Sequence, residues 1–409
     1  MSRFLVPMQL ISSRLKAVPG TRSVSSLLRS SHHSRCSYRA YSSDVDLNKT
    51  STLPNSTSEK EPQYVIPKTM RAIQIKGDKG PASAMYIGTA DMPEIKLDHV
   101  LVKIKAIGVN RMDTLQRTGN YPVPPDASPI MGVEFSGEIV SSRSSSWKPG
   151  QQVFGLAYGG AYAEYIAVSG GTLIEKPDYM SHVKAAGVME TYLTAYDALK
   201  KTGKFERGQS VLIHTGAGAV GIAANQLAKS LGAHEVFTTA GSEEKLQALS
   251  EMKSAPDHRI NYRTEQFDEI ILRQTKNTGV NLVIDFVGKD FFEKNINSLA
   301  KEGRMICLGF LSGSKATLSL AKLLFKKLSI HGTTLRSRPK DYMNALVASF
   351  KDTCLDKFAT GDLDVVVHKE LDWNKVQEAH EILENNQNIG KVVLTIPEST
   401  EEAVKTPAE

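Results

Sequence analysis

The chain has few of the features that mark several classes of protein. Its three cysteines, Cys36, Cys307 and Cys354, cannot form a disulfide framework and suit a reducing compartment. No apolar run approaches the roughly eighteen residues that span a bilayer, which argues against an integral membrane protein. With 409 residues, of which 41% are hydrophobic and 23% charged, the chain has room for two globular domains plus tails.

Acidic residues are absent from residues 1–41, which carry seven basic residues and many serines. The other 43 basic residues are balanced by 44 acidic ones, so the rest of the chain has no basic excess for binding nucleic acid. This composition is typical of a mitochondrial transit peptide, and a plain basic tail is the alternative. We expect a mitochondrial matrix protein with a disordered linker over residues 42–66 and a tail over residues 398–409.

The remaining body shows two kinds of pattern. Residues 67–187 contain strand-like segments such as "HVLVKIKAIGV" and "GVEFSGEIV", separated by Gly, Pro and Ser, which predict a β-rich module. In residues 188–331 strands alternate with helices, which predicts a doubly wound parallel sheet. Residues 332–397 contain two helical segments and a final strand. The fold class is therefore α/β.

A glycine-rich turn lies between a strand and a helix in "SVLIHTGAGAVGIAANQLAKSLGA". The first glycine of a G-x-G-x-x-G motif permits a tight turn, the second lets the backbone approach a diphosphate, and the third lets the helix pack on the strand. The helix N-terminus attracts the negative charge of the diphosphate. The motif predicts a dinucleotide site formed by Gly216, Gly218, Ala219, Val220 and Gly221.

The next strand indicates which dinucleotide is bound. NAD sites usually have an Asp or Glu here that bonds the ribose hydroxyls, but "VFTTAGSEEKL" has no carboxylate at its turn. The hydroxyl of Ser242 and the ammonium of Lys245 would instead attract a 2′-phosphate. Glu243 and Glu244 are expected to point outward from the first helical turn. The sequence favours NADPH, although Ser242 is equally suited to cap the helix.

These segments resemble the zinc-free quinone oxidoreductases of the medium-chain dehydrogenase superfamily, the group of zeta-crystallin. The likeness extends over nearly all of residues 70–396 and includes "AIGVNRMDTLQRTGNYPVPP", "LLFKKLSIHGTTLRSR" and "NIGKVVL". It implies a GroES-like catalytic domain interrupted by a Rossmann domain, with the cofactor in the cleft between them. It also implies a homodimer joined through the Rossmann sheet.

The resemblance implies further contacts with the cofactor. It places Tyr262 beside the adenosine phosphate, although a surface tyrosine packed on the sheet is the alternative. Thr194 and Lys391 match positions that contact the cofactor. Gly309 and Phe310 follow a Rossmann strand, where backbone groups would reach the nicotinamide carboxamide.

Zinc-dependent members of the superfamily bind their metal through a Cys and through the His of a Gly–His–Glu turn. Asn110 and Val133 stand at these positions here, and only Glu134 remains. An amide and an isopropyl group cannot replace thiolate and imidazole, so the resemblance implies an enzyme without metal. Without a Lewis acid, we expect hydride donation to a quinone or a conjugated enone.

Two side chains are candidates on the substrate side of the cleft. The Asn110 amide can bond an acceptor oxygen or the nicotinamide ribose, and the Tyr121 hydroxyl can donate to a developing anion. The alternatives are that Asn110 caps a turn and that Tyr121 only forms the pocket wall. Asp113 is expected to orient this loop, and Arg336 and Arg338 either line the pocket mouth or are solvated.

Two other functions stay open at this point. An enoyl-thioester reductase of the same superfamily places a proton-donating tyrosine in the equivalent loop, and it would need an apolar acyl channel. The second is a non-enzymatic NADPH-binding protein, as in lens crystallins.

Overall fold

A computed structural model describes residues 64–398 of the chain. The transit peptide expected at residues 1–41, the linker up to residue 63 and the tail from residue 399 lie outside the described residues. Among the helices of residues 64–398, none is long and apolar enough to cross a bilayer.

The strands of this region, in chain order, are β1 (Thr69–Ile75), β2 (Met85–Asp91), β3 (His99–Val109), β4 (Glu134–Ser142), β5 (Gln152–Leu156), β6 (Tyr165–Ser169), β7 (Leu173–Glu175), β8 (Val211–Ile213), β9 (Val236–Ala240), β10 (His258–Asn261), β11 (Val280–Asp285), β12 (Leu299–Cys307), β13 (Ser329–Gly332), β14 (Val367–Asp372) and β15 (Lys391–Thr395). They form a hairpin of β1 and β2, a seven-stranded sheet and a six-stranded sheet.

The helices are α1 (Arg111–Arg117), α2 (His182–Ala185), α3 (Met189–Tyr196), α4 (Ala219–Ser230), α5 (Glu243–Ser250), α6 (Phe267–Gln274), α7 (Phe292–Ser298), α8 (Leu320–Lys326), α9 (Lys340–Ala359) and α10 (Val376–Glu384). A π-helical turn, Asp197–Thr202, continues α3. Short 3₁₀ turns lie at Ala82–Ala84, Gly170–Thr172, Leu335–Ser337 and Trp373–Lys375.

The seven-stranded sheet combines distant parts of the sequence. Its order is β14-β15-β3-β4-β5-β7, with β6 also paired to β3. The last strand, β15, pairs antiparallel with β3, with Val393 opposite Gly108. The C-terminal segment therefore returns to the sheet that the N-terminal segment began, as expected for a GroES-like domain that is interrupted by another domain.

The six-stranded sheet is entirely parallel and has the order β10-β9-β8-β11-β12-β13. The strand order reverses between β8 and β11, and this reversal leaves a crevice at their carboxyl ends, where doubly wound sheets bind ligands. Runs such as Val211–Ile213 are fully buried because helices cover both faces of the sheet. The predicted fold class, a GroES-like domain interrupted by a doubly wound Rossmann domain, is confirmed.

One apolar cluster extends from the catalytic domain into the Rossmann domain. Phe154 of β5, Leu193 of α3, Leu227 of α4 and Phe350 of α9 all belong to it and are fully buried. α3 packs against both α4 and α9. This shared core fixes the relative position of the two domains and therefore the geometry of the cleft.

Candidate active site

The three motif glycines meet different surroundings. A Cβ atom at Gly216 would lie 1.9 Å from Thr238 Oγ1, and one at Gly221 would lie 2.2 Å from the Thr215 carbonyl oxygen. At Gly218, in contrast, the nearest atom would be the Thr215 oxygen at 3.3 Å. The first and third glycines are thus required by packing, whereas a Cβ at the second would meet only the Thr215 oxygen within 4 Å among the described residues.

The start of α4 faces this space. Gly218 precedes the helix. The first backbone hydrogen bond of the helix runs from the Ile222 N–H to the Gly218 carbonyl. The N–H groups of Ala219, Val220 and Gly221 therefore precede that bond and remain available to an anion. The Gly390 N–H donates to the Ala217 carbonyl at 2.8 Å, which brings the loop before β15 against the glycine-rich turn.

The residues predicted to select NADPH lie together at the ends of β9 and β10. The Ser242 hydroxyl accepts a hydrogen bond from the Lys245 N–H, so it caps α5. The Tyr262 hydroxyl lies so near Gly241 that a Cβ there would be 2.6 Å from it. The Glu243 carboxylate is bonded by the Asn261 side chain at 2.6 Å. The Glu243 carboxylate, which follows the turn, is therefore already hydrogen-bonded to Asn261.

Two arginines that the sequence analysis missed join this group. Lys245 Nζ donates to the Asn386 carbonyl at 2.7 Å, and the Arg111 guanidinium donates to the Asn386 side chain at 2.6 Å. Burial and the positive charges of Arg263 and Arg111 lower the pKa of Lys245. Repulsion of this kind would be relieved by a bound phosphate. Both arginines directly follow predicted site residues, Asn110 and Tyr262, which was the available signal.

Asn110 lies in a buried polar network. Its Nδ2 donates to Glu134 at 2.9 Å, and its Oδ1 accepts from Lys391 Nζ at 2.6 Å. Lys391 also forms an ion pair with Glu134, and both side chains are at most 2% exposed. The predicted cofactor residue Lys391 is thus committed to Asn110 and Glu134. With an amide, a valine and a paired carboxylate at this point, the donor set does not fit zinc.

Asp113 holds the loop that carries Asn110. Its Oδ2 accepts from the Asn110 N–H at 2.8 Å and from the Tyr162 hydroxyl at 3.2 Å. Burial raises the pKa of Asp113 to about 6, although these bonds and Lys391 oppose the rise. The structure therefore gives Asp113 the orienting position that the sequence predicts, and Asn110 is the N-cap residue that precedes α1, in line with the alternative expectation that it caps a turn.

Thr194 lies in α3, and its Oγ1 is buried without a hydrogen-bond partner among the described residues. A buried hydroxyl of this kind is available to hydrogen-bond a ligand or a water molecule. Gly309 and Phe310 follow β12, and Phe310 is 55% exposed. The N–H groups at the start of α4 and the unpartnered Thr194 hydroxyl suit a dinucleotide.

Tyr121 lies beside the polar network. Its hydroxyl is 3.1 Å from Thr334 Oγ1, and burial raises its pKa, which keeps it protonated at neutral pH. The Arg336 guanidinium lies 5.8 Å from the centre of the Tyr121 ring.

Arg336 is 6% exposed and donates to the Tyr158 carbonyl and the Gln116 side chain. Arg338 donates to Thr333 and lies 3.9 Å from Asp197. Of the two alternatives given for these arginines, Arg336 is buried and lines a small cavity, whereas Arg338 is 31% exposed and has protein partners as well.

Comparisons with known proteins agree with this architecture. The family models for "Alcohol dehydrogenase GroES-like domain" and "Zinc-binding dehydrogenase" match residues 96–178 and 219–351. The quinone oxidoreductase-like protein 2 homolog of Nematostella vectensis is 30% identical over 299 residues, which are 72% of this chain and 81% of that protein.

Two solved structures are also similar. A mycobacterial protein in complex with NADPH has a TM-score of 0.71 and 27% identity, covering 80% of this chain and 99% of its own. The JamJ enoyl reductase has a TM-score of 0.70 and 26% identity, with the same coverage. The chain belongs to the medium-chain dehydrogenase/reductase family, in its zinc-free quinone oxidoreductase branch.

The contrasting glycines allow a direct test of the crevice. Gly218→Ala should lower the free energy of unfolding by less than Gly221→Ala does, because its φ of −74° suits alanine and only the Thr215 oxygen, at 3.3 Å, would have to shift slightly. It should weaken NADPH binding by roughly tenfold, or about 1.4 kcal/mol, because the methyl group fills space for the diphosphate. Gly221→Ala should lower the free energy of unfolding by about 1–3 kcal/mol through overpacking. Thermal unfolding and fluorescence titration measure both, and unchanged binding in Gly218→Ala would contradict the assignment.

Proposed function

We propose that the protein is an NADPH-dependent reductase that acts without metal on quinones or other conjugated carbonyl compounds. The observation that carries this proposal is the polar network of Asn110, Lys391 and Glu134, which occupies the place of a metal centre beside the dinucleotide crevice. The family branch supports the same chemistry. NADPH supplies a hydride, and the protein orients the acceptor and stabilises the charge that develops on it.

The roles of the side chains follow from their contacts. Lys391 and Glu134 hold the Asn110 amide in one orientation, so that Asn110 positions the reacting end of the cleft. The Tyr121 hydroxyl, whose hydrogen-bond partner among residues 64–398 is a threonine hydroxyl, turns to an acceptor oxygen and donates to it. Because burial raises its pKa, Tyr121 keeps its proton and acts as a hydrogen-bond donor.

An acceptor screen tests the function. NADPH oxidation is followed with quinones, short enones and crotonyl thioesters, with Tyr121→Phe alongside the unaltered protein. We expect turnover of quinones and enones, and a loss of roughly 10²–10³-fold in Tyr121→Phe with normal NADPH binding, because one donor to the oxyanion is removed.

The outcomes separate the alternatives. Preferential turnover of crotonyl thioesters would favour the enoyl-thioester reductase, for which the likeness to the JamJ enoyl reductase is the supporting observation. Tight NADPH binding without turnover of any acceptor would favour a non-enzymatic NADPH-binding protein. Unchanged rates in Tyr121→Phe would leave Tyr121 as pocket wall only.

The choice of NADPH over NADH rests on the cations at the end of β9. Lys245→Ala should raise the KM for NADPH by roughly 10–100-fold, which corresponds to a lost charge-assisted bond of about 1.5–3 kcal/mol. The KM for NADH, which lacks the 2′-phosphate, should stay nearly constant. Lys201→Ala removes an exposed lysine elsewhere and serves as control. Equal effects on both coenzymes would count against a phosphate site at Lys245.

A homodimer is also part of the proposal. β13 ends the six-stranded sheet, so within the described residues its outer edge has no neighbouring strand. The adjacent α8 has no buried residue, and Leu320, Leu324 and Phe325 are 72%, 71% and 77% exposed. A bare sheet edge beside exposed apolar side chains suits a second copy of the same chain.

Sedimentation should therefore find dimers at micromolar concentration and a shift toward monomers in Phe325→Glu. Leu97→Glu is the matched control, because Leu97 is equally exposed (77%) but lies in the catalytic domain. A monomeric unaltered protein would refute this interface.

The basic, acid-free residues 1–41 support the proposal that the enzyme works in the mitochondrial matrix.

A further inference from the structure

The segment between β13 and α9 contacts both the ring and the hydroxyl of Tyr121. The Thr334 hydroxyl lies 3.1 Å from the Tyr121 hydroxyl, and either group can be the donor of this hydrogen bond. The Arg336 guanidinium, two residues further along the chain, lies 5.8 Å from the centre of the Tyr121 ring. One short segment therefore orients the whole side chain of the proposed donor. Neither the sequence nor the family likeness assigned a role to Thr334.

Thr334 depends on its neighbours in the chain for its position, because its own side chain is exposed. On its N-terminal side, the Thr333 hydroxyl donates to Asp197 Oδ2 at 2.7 Å. On its C-terminal side, Leu335 and Arg336 are both buried, and the Arg336 guanidinium is hydrogen-bonded to the catalytic domain. Thr334 is thus held from both sides.

Asp197 is a buried carboxylate that the proposed chemistry does not use. It lies where α3 continues into the π-helical turn, and its side chain is fully buried. In addition to Thr333, its oxygens accept hydrogen bonds from Thr202 at 3.2 Å and from Tyr342 of α9. The Arg338 guanidinium lies 3.9 Å away. Because a buried carboxylate must be paired or hydrogen-bonded, these contacts make Asp197 a fixed anchor for the segment that carries Thr334.

The direction of the hydrogen bond between Tyr121 and Thr334 decides where the Tyr121 proton points. Each hydroxyl has one proton to donate and two lone pairs that accept. If Tyr121 gives its hydrogen bond to an acceptor oxygen, its contact with Thr334 persists only when Thr334 is the donor. A bond donated to the phenol oxygen also polarises the phenol, and this strengthens the hydrogen bond that the phenol proton makes.

We propose that Thr334 is a positioning residue, whose hydroxyl donates to the Tyr121 oxygen and so directs the Tyr121 proton toward the acceptor oxygen. This inference rests on the proposed function and deepens it. Thr334 acts through Tyr121 and not on the substrate. The phenol proton stays on Tyr121 while negative charge develops on the acceptor oxygen, so no bond to hydrogen breaks in this step.

The charged groups around Tyr121 agree with this arrangement. Burial raises the pKa of Tyr121, whereas the hydrogen bond with Thr334 lowers it. Glu190 of α3 and Asp113 of α1 add to the rise, and Arg336 opposes it. A hydrogen bond donated to a phenol oxygen lowers its pKa because it stabilises the anionic form. Since the net change is upward, Tyr121 keeps its proton while Thr334 orients it.

The test begins with Thr334→Val, which keeps the size of the side chain and removes the hydroxyl. With a conjugated enone as acceptor, kcat should fall roughly 3–10-fold, as for one lost neutral hydrogen bond, and the Kd of NADPH should stay within about twofold. Thr334→Ser keeps the hydroxyl and should restore most of the rate. Thr278→Val is the matched control, because Thr278 is also exposed but precedes β11, at the edge of the parallel sheet opposite the crevice.

A double-mutant cycle separates positioning from a general effect on the fold. In the Tyr121→Phe background there is no phenol proton to direct, so Thr334→Val should cause no further loss. An equal loss in both backgrounds would overturn the proposal. An unchanged rate in Thr334→Val, or a failure of Thr334→Ser to restore it, would overturn the proposal as well.

A spectroscopic readout does not depend on turnover. NMR of the protein with ring-labelled tyrosine follows the ionisation of Tyr121, whose resonance is identified by its absence in Tyr121→Phe. Thr334→Val should raise the pKa of Tyr121, because the lost hydrogen bond lowers it in the unaltered protein. Thr278→Val should leave this pKa unchanged.

The results distinguish the two levels of the proposal. A protein that turns over no acceptor loses the proposed function, yet the titration still reports the hydrogen bond between Thr334 and Tyr121. A pKa of Tyr121 that does not rise in Thr334→Val would overturn the role of Thr334 alone, even in an active enzyme.

Discussion

The ion pair between Lys391 and Glu134 is the interaction on which the site depends. Both side chains are almost fully buried, and neither charge could remain there without the other. Breaking such a pair by removing one partner typically costs about 3–5 kcal/mol. The pair joins the last strand of the described region to β4 and fixes Asn110 from two sides. It therefore connects the closure of the catalytic domain to the geometry of the cleft.

A second buried chain of bonds supports Asn110 from behind. The Arg117 guanidinium can only donate, so His380 Nδ1 at 3.1 Å must accept. Burial and Arg117 lower the pKa of His380 to about 3, so the ring is neutral and its Nε2–H donates to the Tyr162 oxygen at 3.0 Å. The Tyr162 hydroxyl is then directed to Asp113. Each donor is thus assigned, and Asp113 is held as an acceptor for the Asn110 N–H.

The sequence alone predicts those parts of the site whose residues lie close together in the chain. The glycine-rich turn and the Ser242 cap lie within a few residues of one another, and the structure gives Gly216, Gly218 and Gly221 the distinct surroundings that the motif predicts. The contacts of Lys391 with Asn110 cross 281 positions and needed the family likeness. Glu190 had no local signal of its own, and Arg111 had only its position next to Asn110. Their importance depends on neighbours that only the folded sheets bring close.

Charge balance explains why the site contains a protonated acid. Asp113, Glu134 and Glu190 lie within one electrostatic neighbourhood with two cations, Lys391 and Arg336. Three carboxylates would leave an uncompensated negative charge in a buried region, which is costly. One proton removes this excess, and Glu190, whose pKa is raised furthest toward neutrality, holds it.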